Sequence, residues 1–151
     1  MFNFRFGRQL ALNGKDYDFP PFRPPSEADS LLLRFTRGCP WNRCIFCPMY
    51  KGVKFRKRTL QEITADIDTA KAFTHGRAET VFIGDSDSLV MARKEICQAL
   101  EHLYMKFSTL GRVTSYARAQ TLRRKPIEDL KAIRRAGLTR LHIGLETGSG
   151  D

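Results

Sequence analysis

Three cysteines lie within nine residues of this chain, at Cys39, Cys44 and Cys47, in the spacing C-x4-C-x2-C. Closely spaced thiolates form a soft, anionic ligand set that suits iron or zinc far better than calcium or magnesium. A structural zinc site and a closed iron–sulfur cluster both take four protein ligands. The one further cysteine, Cys97, lies fifty residues away in a helical pattern. The local set is therefore incomplete, and it would leave one metal coordination position open for another ligand.

Two other interpretations of these cysteines have to be considered. A disulfide is not indicated, because the sequence opens with Met-Phe-Asn-Phe-Arg-Phe and shows no apolar signal stretch for an oxidising compartment. The expected location is the cytoplasm. A zinc site would need a fourth ligand from Cys97, His75, His102 or His142, none of which stands at the usual zinc-finger spacing. The spacing alone leaves iron–sulfur and zinc sites both open.

The composition limits the chain to at most one domain and favours anionic partners, since it has 151 residues and a formal net charge of +10. No apolar run is long enough to cross a membrane. The cations form two groups. The first directly follows the cysteines and consists of Lys51, Lys54, Arg56, Lys57 and Arg58; the second consists of Arg118, Arg123, Arg124 and Lys125. The second group is predicted to be mainly a solvated face.

The elements that must position these residues are an alternation of strands and helices, preceded by a proline-rich extended arm over residues 1–30. Strands are predicted over 31–36, 80–84, 112–116 and 139–145, and helices over 60–73, around 96–103 and over 126–137. Thr59 and Glu62 have the form of a capping box for the first helix. The βαβαβαβ order predicts parallel strands joined by crossover helices.

Ligands of such sheets gather at the carboxyl ends of the strands. All four predicted strands are followed there by polar or glycine-rich segments: the cysteine loop, Gly84-Asp85-Ser86-Asp87, Tyr116-Ala117-Arg118 and Glu146-Thr147-Gly148. We expect these segments to face one side of the sheet.

Together these residues resemble the radical S-adenosylmethionine (radical SAM) superfamily over about residues 31–151. As in that superfamily, the cysteine loop directly follows the first strand and an aromatic residue, Phe46, precedes the third cysteine. Gly84 ends the second strand, and a glycine-rich segment over 144–149 ends the fourth. Two features depart from the family pattern: the usual C-x3-C-x2-C loop is one residue longer here, and Gly84-Asp85-Ser86-Asp87 replaces the frequent Gly-Gly-Glu-Pro.

The resemblance implies an α/β fold of parallel βα repeats that form a partial TIM-like barrel, with about four of six strands present. Residues 31–151 would be the N-terminal portion of the core domain. The sequence is expected to be a fragment of a longer protein or to be completed by a partner.

The resemblance also implies a cofactor chemistry. Cys39, Cys44 and Cys47 would each bind one iron of a four-iron, four-sulfur cluster, and S-adenosylmethionine would chelate the fourth iron. Reduction would cleave the cofactor to methionine and a 5′-deoxyadenosyl radical, which takes hydrogen from a substrate. A reducing protein such as a flavodoxin or ferredoxin is the implied partner. RNA is a possible substrate because of the basic stretch 51–58, although no recognised RNA-binding module accompanies it.

Five residues would hold the S-adenosylmethionine: Phe46 its adenine, Gly84 its methionine part, Asp85 its amino group, Arg118 its carboxylate, and Glu146 its ribose hydroxyls or amino group. Phe46 could equally be a packing residue, and Arg118 a surface cation. Trp41 would shield the cluster, whereas His142 and Cys97 are predicted to belong to the core. Two other functions stay open: a non-catalytic iron–sulfur electron-transfer or sensor module, and a zinc-stabilised binding domain.

Overall fold

The computed structural model describes residues 22–145, which form a parallel four-stranded sheet with helices packed on one face. The strands are β1 (Leu31–Arg34), β2 (Thr36–Arg37), β3 (Arg56–Lys57), β4 (Thr80–Gly84), β5 (Arg112–Ala117) and β6 (Arg140–Ile143). The helices are α1 (Leu60–Thr74), α2 (Arg93–Lys106), α3 (Ala119–Arg124) and α4 (Ile127–Arg135). The sheet order is β1-β4-β5-β6, and β2 and β3 form a separate antiparallel pair. Over the described residues no helix is both long enough and apolar enough to cross a membrane.

The first helix begins and ends as its sequence predicts. The Thr59 hydroxyl accepts from the Glu62 N–H at 3.2 Å, and the Glu62 carboxylate accepts from the Thr59 N–H at 2.8 Å. Arg56 also donates to this carboxylate, and these hydrogen bonds lower the pKa of Glu62 to about 2. The helix ends in two left-handed residues, His75 at φ +53° and Gly76 at φ +72°.

The apolar core lies between the sheet and the helices. Alternate strand residues such as Leu33, Ile83 and Val113 point to this side, where they meet Ile67 of α1 and Leu100 of α2. Each of these five side chains is almost completely buried, so this layer fixes the direction of the strands and therefore the positions of their carboxyl ends.

The opposite face of the sheet carries aromatic and polar side chains. The Phe82 ring packs edge-on against Tyr116, with 5.0 Å between the ring centroids, and Tyr116 packs against His142 on the next strand at 6.0 Å. The described part of the proline-rich arm also packs on the sheet, because the fully buried Glu27 lies 3.4 Å from Nε2 of His142 and the Ser30 hydroxyl donates to the Thr80 hydroxyl at 3.0 Å. Residues 22–30 therefore contact the sheet.

The predicted α/β architecture is confirmed, and over residues 22–145 the parallel sheet stays open, with β1 and β6 at its edges. The expected strand 31–36 is divided at Phe35, since Thr36 leaves the main sheet to pair with Lys57 of β3. The short helix α3 was not predicted. The described turns confirm Gly137 as a helix terminator, at φ +115°.

Candidate functional site

A cleft of about 630 Å³ lies at the carboxyl ends of the parallel strands, a volume typical of small-molecule sites. The thiols Cys39, Cys44 and Cys47 all lie in its wall. They share it with residues from the other strand ends and from the cysteine loop itself: Trp41, Phe46, Ser86, Tyr116, Arg118 and His142. The structure therefore brings the three cysteines together with Phe46 and Arg118.

The cysteine loop is tied down at its base and near its first thiol. The pairing of β2 with β3 closes residues 38–55 into one excursion from the sheet. Inside it, Asn42 makes three contacts: its N–H donates to Cys39 Sγ at 3.4 Å, its side-chain amide donates to the Tyr50 carbonyl at 2.6 Å, and its carbonyl accepts from Lys51 Nζ at 3.0 Å. These contacts hold the first thiol in place and tie the two sides of the loop together.

The donor set of the loop is three thiols, which are free and half-buried. Over residues 22–145 no three or more His, Cys, Asp or Glu side chains gather closely enough to hold one metal ion. In a four-iron cluster each thiolate binds a different iron. Three thiols in the wall of one cleft are the donors that such a cluster would take.

Cys97 lies away from this cleft, on α2. Its side chain is half-buried and packs against the apolar core, and burial raises the pKa of its thiol above the ordinary value. Cys97 is not among the described residues that line the cleft of the other three thiols. The structure thus places Cys97 at the edge of the core, where its helical spacing predicted a core residue.

The loop after β4 is largely buried beneath the cleft. Asp85, which follows Gly84 across a cis peptide bond, is fully buried, and its Oδ1 lies 3.0 Å from Nε of the equally buried Arg34. Its Oδ2 accepts from the Gly38 N–H at 2.8 Å, and the Ser86 hydroxyl donates to the Gly38 carbonyl at 2.9 Å. Both backbone groups of Gly38, the residue before the first cysteine, are therefore held by this loop.

The same loop also contacts the segment after β5. Asp87 is fully buried, and its Oδ2 accepts from the Thr121 hydroxyl at 2.5 Å. Burial raises the pKa of Asp87 above its ordinary value, while this hydrogen bond acts in the other direction. The buried carboxylate fixes the start of α3, where Arg118 enters the cleft.

Arg118 and the aromatic residues give the cleft its recognition chemistry. The Trp41 ring lies 5.4 Å from the guanidinium carbons of both Arg118 and Arg43. Among the described residues of the wall there is no carboxylate, so the Arg118 guanidinium has no acidic neighbour there. Phe46 is 66 % exposed and lines the cleft, which leaves its ring available for stacking.

His142 is a cleft residue whose signal in the sequence was ambiguous. The sequence predicted a satisfied core histidine; the structure gives it a partner, with Nε2 3.4 Å from Oε1 of the buried Glu27, but also places its ring in the cleft wall. Burial acts to raise the pKa of Glu27, but the contacts from Ser30 and His142 outweigh it, so the pKa of Glu27 is lowered. Sequence spacing could not reveal this pair, since 115 residues separate its members.

The remaining predicted site features have mixed placements. Glu146 lies outside the described residues. Gly84 is buried, and a methyl group on it would meet nothing closer than 3.8 Å, so internal packing does not require a glycine. The first basic group is partly structural, because Arg58 pairs with Asp66 and Arg56 with Glu62.

Comparison with known families gives one match. The model of the Radical SAM superfamily matches residues 33–151, a range that begins within β1 and contains the whole cysteine loop. No curated protein and no solved structure matches the chain.

Proposed function

This chain belongs to the radical SAM superfamily, and from that premise we propose that it binds a four-iron, four-sulfur cluster and S-adenosylmethionine, which it cleaves reductively to a 5′-deoxyadenosyl radical that modifies a substrate. The observation that carries the proposal is the cleft itself. It combines three free thiols, an incomplete ligand set for any closed metal site, with an arginine that has no carboxylate beside it among the described residues of the wall.

Cys39, Cys44 and Cys47 would hold the cluster, which when bound supplies the electron for cleavage of the carbon–sulfur bond. The Asn42 N–H donates to Cys39 Sγ at 3.4 Å and so helps to fix the position of the first thiol. The half-exposed Trp41 ring covers one side of the loop and limits the access of water. The protein thus positions the thiols and shields the loop before any cofactor binds.

The cofactor would lie against the residues of the same cleft. The Arg118 guanidinium offers paired N–H donors to its carboxylate, and the exposed Phe46 ring offers a face to its adenine. Gly84 would allow a close approach of its methionine part, which agrees with the absence of any packing reason for a glycine there. Glu146 is proposed to accept from the ribose hydroxyls or the amino group.

A reducing protein would have to dock close to the cysteine loop. Arg43, Lys51 and Lys54 are exposed on and beside that loop, and they give this part of the surface a positive charge. An acidic electron carrier such as a flavodoxin or ferredoxin is complementary to it.

Anaerobic reconstitution with iron and sulfide tests the proposal. The reduced protein should give a cluster signal in electron paramagnetic resonance, and S-adenosylmethionine should shift that signal by binding to the iron without a cysteine ligand. Dithionite and S-adenosylmethionine should then yield 5′-deoxyadenosine. A cluster whose spectrum ignores S-adenosylmethionine would refute the proposal in favour of a non-catalytic cluster module, and uptake of zinc without iron would favour a zinc domain.

A further inference from the structure

The loop over residues 84–87 has two neighbours because β4 lies between β1 and β5 in the sheet. One neighbour is the cysteine loop after β1, and the other is the segment after β5 that carries Arg118. Side chains of this loop reach both. We propose that residues 85–87 form a two-sided clamp, in which Asp85 and Ser86 position the first cysteine and Asp87 positions the start of α3, which carries Arg118.

On the first side, the clamp holds Gly38, whose backbone conformation and close neighbours do not suit a residue with a side chain. Gly38 has φ +77°, and a side chain there would lie 3.1 Å from Val53. With its N–H bound by Asp85 and its carbonyl by Ser86, the peptide groups that lead into Cys39 have one orientation. The direction in which the Cys39 thiol enters the cleft follows from that orientation.

The position of Asp85 also argues against a direct contact with the cofactor. Its side chain has no exposed surface, and it is Ser86, not Asp85, that lines the cleft. One carboxylate oxygen faces Arg34 and the other accepts from Gly38. A carboxylate used in this way would have to leave a buried cation in order to bind an amino group, which is costly. The role that the family resemblance gives to Asp85 is therefore replaced here by a positioning role.

On the second side, Asp87 acts on the first turn of α3. Its carboxylate accepts from the Thr121 hydroxyl at 2.5 Å and so joins α3, and with it Arg118, to the loop. The Arg118 side chain is left to reach the cleft, where it lies over Trp41. The two halves of the clamp thus act on different parts of the proposed site.

Hydrogen exchange on the apo chain tests the clamp without any cofactor. Ser86→Ala and Thr121→Val are matched mild variants, since each removes one hydroxyl hydrogen bond from an opposite side. Ser86→Ala should speed exchange about fivefold over residues 38–44 and leave 118–122 unchanged, and Thr121→Val should do the reverse. Thr69→Val, which removes a hydroxyl from an exposed bond on α1, is the control and should change neither segment. If either variant left its own segment at the wild-type rate, the clamp would be wrong.

The second measurement uses protein that has been reconstituted with iron and sulfide, and it therefore rests on the proposed function. Ser86→Ala and Asp85→Asn should release iron to a chelator about fivefold faster, while Asp87→Asn should retain iron and bind S-adenosylmethionine about tenfold more weakly. Normal iron retention with weakened S-adenosylmethionine binding in Asp85→Asn would show a direct cofactor contact and overturn the inference. If the wild-type chain takes up no iron, the proposed function fails, and the exchange experiment still decides the clamp.

Discussion

Replacing Asn42 by alanine should loosen the cysteine loop without disturbing the sheet. Asn42 has φ +48°, in the left-handed region that asparagine tolerates better than other residues with a side chain. Its amide donates to the Tyr50 carbonyl at 2.6 Å, across the loop. Alanine loses this hydrogen bond and also adopts the left-handed backbone less readily.

The size of the effect follows from these two contributions. The lost hydrogen bond costs about 1 kcal/mol, and the left-handed conformation of a residue with a Cβ costs about another 1 kcal/mol. Together they shift the balance between the closed and open loop by about 2 kcal/mol, or roughly 30-fold. Asn42→Gly is the matched variant, because it loses the hydrogen bond but accepts the backbone conformation, so its shift should be only about fivefold.

The assay is the rate at which a chelator removes iron from the reconstituted protein under anaerobic conditions. We expect release to be fastest for Asn42→Ala, intermediate for Asn42→Gly and slowest for the wild type, with unchanged thermal melting of the apo protein. Equal rates for the two variants would show that the left-handed backbone contributes nothing. Wild-type rates for both would refute the idea that Asn42 holds the loop.

Three further predictions concern the fold and the ligand set. Gly137→Ala should lower the free energy of unfolding in urea by about 2–4 kcal/mol, because a Cβ would lie 2.1 Å from the Tyr104 ring at a positive φ; Gly111→Ala, whose Cβ would meet nothing closer than 3.8 Å, should have little effect. The capping-box carboxylate Glu62 has a pKa of about 2 in the folded chain, so its stabilisation should be present above the ordinary value of 4.5 and disappear as pH falls from there towards 2. Since Glu62 is about one third exposed, the difference in stability between the wild type and Glu62→Gln should stay below about 1 kcal/mol at pH 6 and shrink towards zero near pH 2.5; a difference that grew on acidification would contradict this assignment. Cys97→Ala should keep the full iron and sulfide content after reconstitution, and loss of the cluster in this variant would show that the ligand set is wrong.

Elements with strong local signals were predictable from the sequence. The capping box of Thr59 and Glu62 fixed the start of α1, and Gly137 marked the end of α4. Elements of two residues, such as β2 and β3, have too few positions to show a period, and α3 follows directly on β5 with no buried residue to mark a face. The strand ends, and with them the meeting of the cysteine loop and Arg118, followed from the order of the parallel strands.

The buried ion pairs and hydrogen bonds that hold the site in place were not predictable in the same way. Arg34 lies in a strand and Asp85 in a loop about fifty residues later, and only the parallel register places one beside the other. Asp85 carried a family role in the sequence because its position along the chain is that of a cofactor ligand, while its burial depends on which way the loop turns. The contact of Glu27 with His142 likewise depends on where the proline-rich arm crosses the sheet.

Three carboxylates have no exposed surface: Asp85 and Asp87 lie in the loop beneath the cleft, and Glu27 lies near Arg112 and Arg140, where β5 and β6 begin. A buried carboxylate is costly unless it is paired, and each of these is: Glu27 with Ser30 and His142, Asp85 with Arg34, and Asp87 with Thr121. An apolar contact would give similar stability without fixing a direction, whereas a hydrogen-bonded charge holds its partners at one distance and angle. Asp85 and Asp87 place buried charge beneath the thiols and Arg118, where the orientation of loops matters, and the helix side holds a buried pair of its own, Asp66 with Arg58. Buried, hydrogen-bonded charge below the cleft is expected of a scaffold whose strand ends must hold a cofactor site in one geometry before the cofactor binds.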